Sequence, residues 1–255
     1  QLFVRTSRST RLTRAGKLFL EHVPRVFTAL QQARDSVKAA TNGFHSQLRI
    51  ALSDGIMPSR LPSLLALCRQ EEPEVEIRLF EVPLSQQIKG LHEDLYDVGF
   101  AQSDEVGDGI ATMPVWSDAL MVAVPARHPL LAHKRIPLDE LLRYPLVLCD
   151  PQACESHAKH VDRVLRRVDM EPLVAERVAT CDLMMALVSA GFALGLTGQS
   201  HIAASRETGV VARPLALRVP PLTTYLLRLE GDPPDVLTRF IERVQTIESP
   251  EEPTS

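Results

Sequence analysis

From Leu48 onward, runs that are wholly apolar or alternate at period two are repeatedly followed by segments of helical length and spacing. LRIALS, in which Leu48, Ile50 and Leu52 alternate, leads through Asp54 and Gly55 into a segment whose apolar face is Leu61, Leu64, Leu65 and Cys68, ending before Pro73. VEIRLFEV (75–82) is a second strand, SQQIKGLHED a second helix and LYDVGFA a nearly unbroken apolar strand. The series resumes with DALMVAV, a short helix around PLDELL, the strand YPLVLC, a helix over 153–168, the strand PLVAERVA, the helix CDLMMALVSAG and FALGLTG. TTYLLRLE and the helix VLTRFIERVQTI close it, and the polar tail 248–255 is expected to be disordered. Strands alternating with helices of this length predict parallel βαβ units and an α/β fold. With 45% hydrophobic and 24% charged residues over 255 positions there is enough apolar surface for a packed core, which excludes a disordered or purely coiled-coil chain.

The first 46 residues differ in charge. They hold eight Lys/Arg against two acids, a net +6, while the remainder carries −10 of the overall −4. A basic head on an acidic body suits a chain with one end meeting a polyanion, although an ordinary basic helix face is the alternative. Arg5, Arg8 and Arg11 recur every third position among small polar residues, an extended exposed strip suited to DNA-phosphate contacts. Thr13 stands where a helix N-cap would, and Phe19, Val23, Val26, Leu30, Ala33 and Val37 then follow at spacings of 4 and 3. That is the 3.5-residue seam of a two-stranded coiled coil and predicts a dimerising helix over 13–42; a helix lying on its own domain is the alternative. Pro24 opposes both readings, because it lacks a backbone donor and should kink the helix or delay its start, and Asn42-Gly43 supplies a left-handed stop. The basic N-terminus has no signal-peptide core, no window reaches the roughly 18 apolar residues of a membrane span, and four cysteines are too few for a disulfide scaffold. The expectation is a cytoplasmic chain with reduced thiols and no membrane partner.

The string LFVRTSRSTRLTRAGKLFLEH resembles the end of the DNA-binding domain of LysR-type transcriptional regulators, where a wing of the form LFxRxxRxxxLTxAGxxFL enters a long linker helix. Leu2, Phe3, Arg5, Arg8, Leu12, Thr13, Ala15, Gly16, Phe19 and Leu20 match it. In that family the two helices of the helix-turn-helix precede this string, so residues 1–12 are expected to be a wing remnant that does not bind operator DNA specifically by itself. RIALSDGIMPSRLPSLLALCRQEEPEVEIRLFE, LYDVGF, LMVAVPARHPLLAHKRIPLDELL and LVSAGFALGLTG resemble landmarks of the family's effector domain. The resemblance implies two Rossmann-like lobes of the periplasmic-binding-protein type over 48–247, lobe 1 being 48–121 plus 222–247 and lobe 2 being 122–221. It also implies a small-molecule effector, an organic acid or aromatic metabolite, in the cleft between them, operator DNA as partner of the full-length protein, and a homo-oligomer.

In such a cleft the turns after strand ends present helix N-termini that favour anions. The resemblance assigns effector contacts to Gly55, Ile56, Leu84, Gln102, Ser156 and His157, and Ser85, Asp150 and Thr180 lie in the same turns. Some carboxylate-binding relatives carry Arg in place of Gln102. Cys149, Cys154, His157 and His160 form C-x4-C-x2-H-x2-H, a set able in principle to ligate zinc but spaced unlike usual zinc pairs; a thiol switch between Cys149 and Cys154 is the other reading. Cys68 and Cys181 are read as packing residues. No GxSxG, GxxxxGKS, HExxH or GxGxxG string occurs, so no enzyme, metal or cofactor is expected. The rival class is a solute-binding module or small-molecule enzyme on the same two-lobed fold.

Overall fold

The computed structural model describes residues 1–5, 9–41, 44–53, 60–205 and 209–247, with some side chains of the first helix left out. The chain divides into two compact units, residues 1–47 with 73–77, and residues 48–72 with 78–255. Among the described residues no helix is long and apolar enough to cross a membrane.

The first unit opens with a small hairpin in which β1 (Phe3–Arg5) pairs antiparallel with β2 (Thr10–Leu12). Arg5 and Arg11 are exposed on it, while Arg8 lies outside the described residues. Thr13 caps the following helix, its Oγ1 accepting from the Gly16 amide at 2.9 Å. Helix α1 (Arg14–Thr41) is a single element through position 24, which corrects the expectation of a later start. Proline removes one i→i−4 bond, and the ladder on either side carries the helix past it. Asn42 and Gly43 lie outside the described residues. Phe19, Val26, Leu30 and Val37 are each more than half exposed, Ala33 is exposed and Val23 half-buried.

The second unit carries most of two five-stranded sheets. The first has the order β4-β3-β5-β12-β6, from β3 (Ser46–Leu52), β4 (Val75–Glu81), β5 (Val98–Ala101), β6 (Ile110–Asp118) and β12 (Leu222–Leu229). Strands β3 and β5 are parallel, whereas β12 runs antiparallel to both β5 and β6. The second has the order β11-β7-β10-β8-β9, from β7 (Leu120–Pro125), β8 (Leu146–Cys149), β9 (Val174–Val178), β10 (Leu194–Gly198) and β11 (Val210–Pro214). Here β8 is parallel to β9 and β10, and β7 is antiparallel to β10 and β11. The chain therefore passes from sheet to sheet at Ala119 and returns between β11 and β12, so Leu120 and Met121 belong to the second sheet. The parallel units are as expected; the antiparallel β6, β7, β11 and β12 are not, since they arise where the chain changes sheets.

Helices α2 (Arg60–Glu71), α3 (Leu84–His92) and α8 (Asp235–Thr246) serve the first sheet. Its centre is aromatic: Trp116 stacks on Phe100 with centroids 5.1 Å apart, and Phe240 of α8 meets Phe100 edge-on at 6.2 Å. Outside this core α2 and α8 are joined by charge. The Arg243 guanidinium, 10% exposed, donates to Glu71 at 2.6 Å and Glu72 at 2.7 Å, and Arg239 also pairs with Glu72. Helices α4 (Leu138–Leu141), α5 (Glu155–Leu165), α6 (Cys181–Ser189) and α7 (Gln199–Ala204) serve the second sheet. Leu146, Val161, Leu165, Leu194 and Leu196 are among those packed in its aliphatic core. Gly191, at φ +78°, makes the sharp turn from α6 into β10 that an L side chain would strain.

Candidate functional site

In α/β folds ligand loops gather at the C-terminal ends of parallel strands, where each strand hands over to a helix with free amide groups. In the first sheet β3 and β5 end at such a rim, and a buried amide ties them together. Gln87 of α3 is fully buried; its Nε2 donates to the Ala51 carbonyl at 2.9 Å and the Phe100 carbonyl at 3.2 Å, and its Oε1 accepts from Ser53 Oγ at 3.2 Å. The tie fits because residue 99 is glycine: a Cβ there would lie 2.1 Å from Gln87 Nε2. Gln102 follows directly.

In the second sheet β8 ends at Cys149, and α5 begins five residues after Asp150. His157, 3% exposed, has Nε2 3.1 Å from the Leu196 carbonyl and Nδ1 3.3 Å from Gln102 Oε1. A carbonyl only accepts, so Nε2 carries a proton. A neutral ring then offers Gln102 a lone pair and wants its NH2 face, whereas a charged ring donates to its oxygen. A second bridge lies beside the chain crossing, where Asp118 accepts from the Ser200 hydroxyl at 2.6 Å and the Ser200 amide at 3.1 Å. Gly198 permits this approach, since a Cβ would lie 2.1 Å from Asp118 Oδ2.

The expected site residues separate into groups. Gln102 and His157 are brought together, and Ser156 is buried beside His157 in the first turn of α5. Ser85 is exposed at the start of α3. The Leu84 side chain is buried, packed in the core with Leu91, Ala101 and Ile110. Asp150 and Thr180 have local work, Asp150 Oδ1 accepting from the Gln152 amide at 2.8 Å and Thr180 Oγ1 capping α6 through the Leu183 amide at 3.3 Å. Gly55 and Ile56 lie outside the described residues.

Sequence reasoning missed Gln87, Ser53, Asp118 and Ser200. Gln87 left a signal, because it occupies a core position in the stripe Leu84, Gln87, Leu91 where only an apolar or well-paired residue fits. Cys149, Cys154 and Cys181 share one cluster at the second rim, and Cys181 Sγ lies 3.5 Å from Thr197 Oγ1. Hydrogen bonds with Cys154 and Cys181, together with burial, keep Cys149 protonated. The Cys149 hydrogen bond in turn draws Cys181 down to about 6, against its burial. The four residues of the zinc-like spacing have other partners: Cys154 Sγ reaches the Ala179 carbonyl, His160 the Pro220 carbonyl, and His157 the groups above. Among the described residues no three His, Cys, Asp or Glu side chains are placed to hold a metal ion.

Comparison with known proteins agrees with this architecture. Residues 41–247 match the family described as LysR substrate binding domain. The uncharacterized HTH-type transcriptional regulator YnfL of Escherichia coli strain K12 is 27% identical over 197 residues, 77% of this chain. The match spans 66% of YnfL, just under two thirds of its length. Full-length CbnR, solved with its target DNA, superposes with a TM-score of 0.75 at 25% identity, covering 93% of this chain and 82% of that one. The BenM effector binding domain, solved with its effector benzoate, gives a TM-score of 0.70 at 23% identity over 80% of this chain and 92% of that one, a likeness of fold. The chain belongs to the LysR family, and residues 41–247 form its substrate binding domain.

Proposed function

We propose that this chain is the sensing and dimerising part of a DNA-binding transcriptional regulator that acts in the cytoplasm. A small molecule, an organic acid or aromatic metabolite, binds between lobe 1 (48–121 with 222–247) and lobe 2 (122–221) at Gln102, Ser156 and His157, with Gly55, Ile56 and Ser85 as further contacts. The observation that carries this reading is the 3.3 Å bridge from Gln102 to His157, a part-buried polar contact between elements of the two sheets that a ligand can replace with its own. The first turns of α5 and α6, with the imidazole, favour an acidic group there. The ligand shifts the lobes between arrangements only by its difference in affinity for them. The exposed seam of α1 supports pairing of two copies, and Arg5, Arg8 and Arg11 supply phosphate contacts beside the base-reading helices of the full-length protein. The names of YnfL and CbnR as regulators agree with this reading, as does the benzoate of BenM.

The test is a thermal-shift screen against benzoate, hydroxybenzoates and short aliphatic acids. A ligand at about 100 times its Kd adds about 2.7 kcal/mol of stability. The expected hit loses about tenfold in affinity in Gln102→Ala, as befits a lost hydrogen bond. Unchanged affinity in both Gln102→Ala and Ser156→Ala would remove the cleft assignment.

A further inference from the structure

Strand β8 divides its side chains between two faces of the sheet. Leu146 and Leu148 pack with Val161 and Leu165 of α5, whereas Val147 and Cys149 pack with Met184, Met185 and Val188 of α6. Three elements end or begin beside the α6 cluster, and each brings a cysteine. Cys149 closes β8, Cys154 stands immediately before α5, and Cys181 is the first residue of α6. Cys149 is hydrogen-bonded to both of the others. Cys68, in α2, lies beside Arg243 instead.

The three clustered thiols are not equivalent. Cys149 and Cys154 are 3% and 5% exposed, while Cys181 is only partly buried. Cys154 Sγ is turned to the Ala179 carbonyl at 3.4 Å, and Cys149 keeps its proton. Cys181 differs: the hydrogen bond from Cys149 holds it at about 6 against its burial, and the nearby His157 ring favours the anion further. A thiolate with a way to solvent, beside a protonated thiol, is the arrangement of an attacking sulfur and a resolving one. Packing alone requires neither. Spacing along the chain pairs Cys149 with Cys154, but in three dimensions Cys181 is the more open and the more nucleophilic partner.

We propose that Cys181 is an oxidation site for hydrogen peroxide and that Cys149, already in hydrogen-bond contact with it, resolves the product as an intramolecular disulfide. In the first step the Cys181 thiolate attacks a peroxide oxygen. The S–O bond forms, the O–O bond breaks, and the expelled hydroxide takes a proton from solvent, leaving a sulfenic acid. In the second step the Cys149 sulfur attacks Cys181 Sγ; the S–S bond forms, the S–O bond breaks, and the leaving hydroxide departs as water with the Cys149 proton. Two thiols are oxidised and one peroxide is reduced to two waters. The bond ties the first turn of α6 to the end of β8 and withdraws Cys181 from Thr197, the neighbour of Leu196, whose carbonyl holds His157. The chemistry needs no bound effector, so the inference stands independently of the cleft reading.

The experiment treats the reduced chain with hydrogen peroxide at neutral pH, with and without dimedone, and follows thiol loss, intact mass and linked peptides. The wild type is expected to lose the mass of two hydrogens, with the peptides of Cys149 and Cys181 joined. Cys181→Ser is expected to slow thiol loss about tenfold or more, because the thiols that remain are buried. Cys149→Ala should leave Cys181 as a sulfenic acid that dimedone traps, and Cys154→Ala and Cys68→Ala should behave as the wild type. Should Cys149→Ala fail to fold, early dimedone labelling of Cys181 in the wild type and the rate in Cys181→Ser decide the matter. A bond between Cys149 and Cys154, a bond between two chains, a rate unchanged by Cys181→Ser, or thiols that react only in urea overturns the proposal.

Discussion

The two five-stranded sheets face the same task, holding the C-terminal ends of their strands in register beneath a rim, and they use different chemistry. The first ties β3 to β5 with an amide and a hydroxyl, Gln87 and Ser53, and braces its outer helices with a buried arginine between two glutamates. The second uses an imidazole on the Leu196 carbonyl and a thiol cluster, over an aliphatic core. Amides hold one protonation state across the physiological range, whereas imidazoles and thiols do not. One rim is thus tied by groups that do not titrate, and the other by groups of kinds that in general do.

The largest effect is expected from Arg243→Ala. It removes a nearly buried guanidinium that donates to both Glu71 and Glu72, leaving Glu72 to Arg239 alone, and should lower the unfolding free energy by about 3 kcal/mol in a urea melt, through the lost charge-assisted hydrogen bonds and the packing of the arginine stem. A loss below about 1 kcal/mol, typical of exposed pairs, would make the first lobe no better braced than the second. Gly99→Ala comes next, at about 2 kcal/mol, since the new methyl displaces Gln87 Nε2 from two carbonyls. A neutral outcome would show that the tie is dispensable. Thr180→Ala in the second lobe should cost about 1 kcal/mol, the usual loss for a helix cap, and leave the first lobe's amide exchange unchanged.

The smallest effect separates the lobes by pH. His128, His160 and His201 all belong to the second lobe, and burial holds each below its ordinary value of 6.5. The unfolded chain then binds more protons than the folded one between the folded values and 6.5, so stability falls as pH drops through that window. In the first lobe burial alone would raise the Glu72 carboxyl, but hydrogen bonds from Arg243 and Arg239 outweigh it and hold it below 4.5; that stability is present above 4.5 and is lost as pH falls beneath it. Hydrogen exchange, corrected for intrinsic rates, should show the second lobe loosening first on acidification. Simultaneous loosening above pH 5 would erase the distinction.

Much of this architecture was legible because period and punctuation agree. Thr13 before the α1 seam, the Leu64–Cys68 face of α2 and the apolar LVLC and LGLTG strands each have one reading. Strand β6 escaped because Pro114 interrupts IATMPVWSD, and proline argues against a strand. The chain tolerates it because β6 is an edge strand, and the register shifts there between Thr224 and Tyr225. Residues in the turns after strands were legible as a group and not one by one. Asp150 and Thr180 have the same residue types as ligand contacts but serve as a turn and a cap, a difference that only three-dimensional neighbours decide. Gln87 and Asp118 escaped for the opposite reason: their partners are backbone groups and a serine 82 residues away, which no local pattern carries.

The Asp118 contact with Ser200 has a mechanical consequence. It pins the start of α7 to the strand through which the polypeptide leaves the first sheet, beside the return at Leu222. Any parting of Gln102 from His157 that leaves this pin in place is a rotation about it, and a translation is not available. The angle then depends on how far from the pin a wedge is driven, so two molecules with equal affinity but different reach would turn the lobes by different amounts.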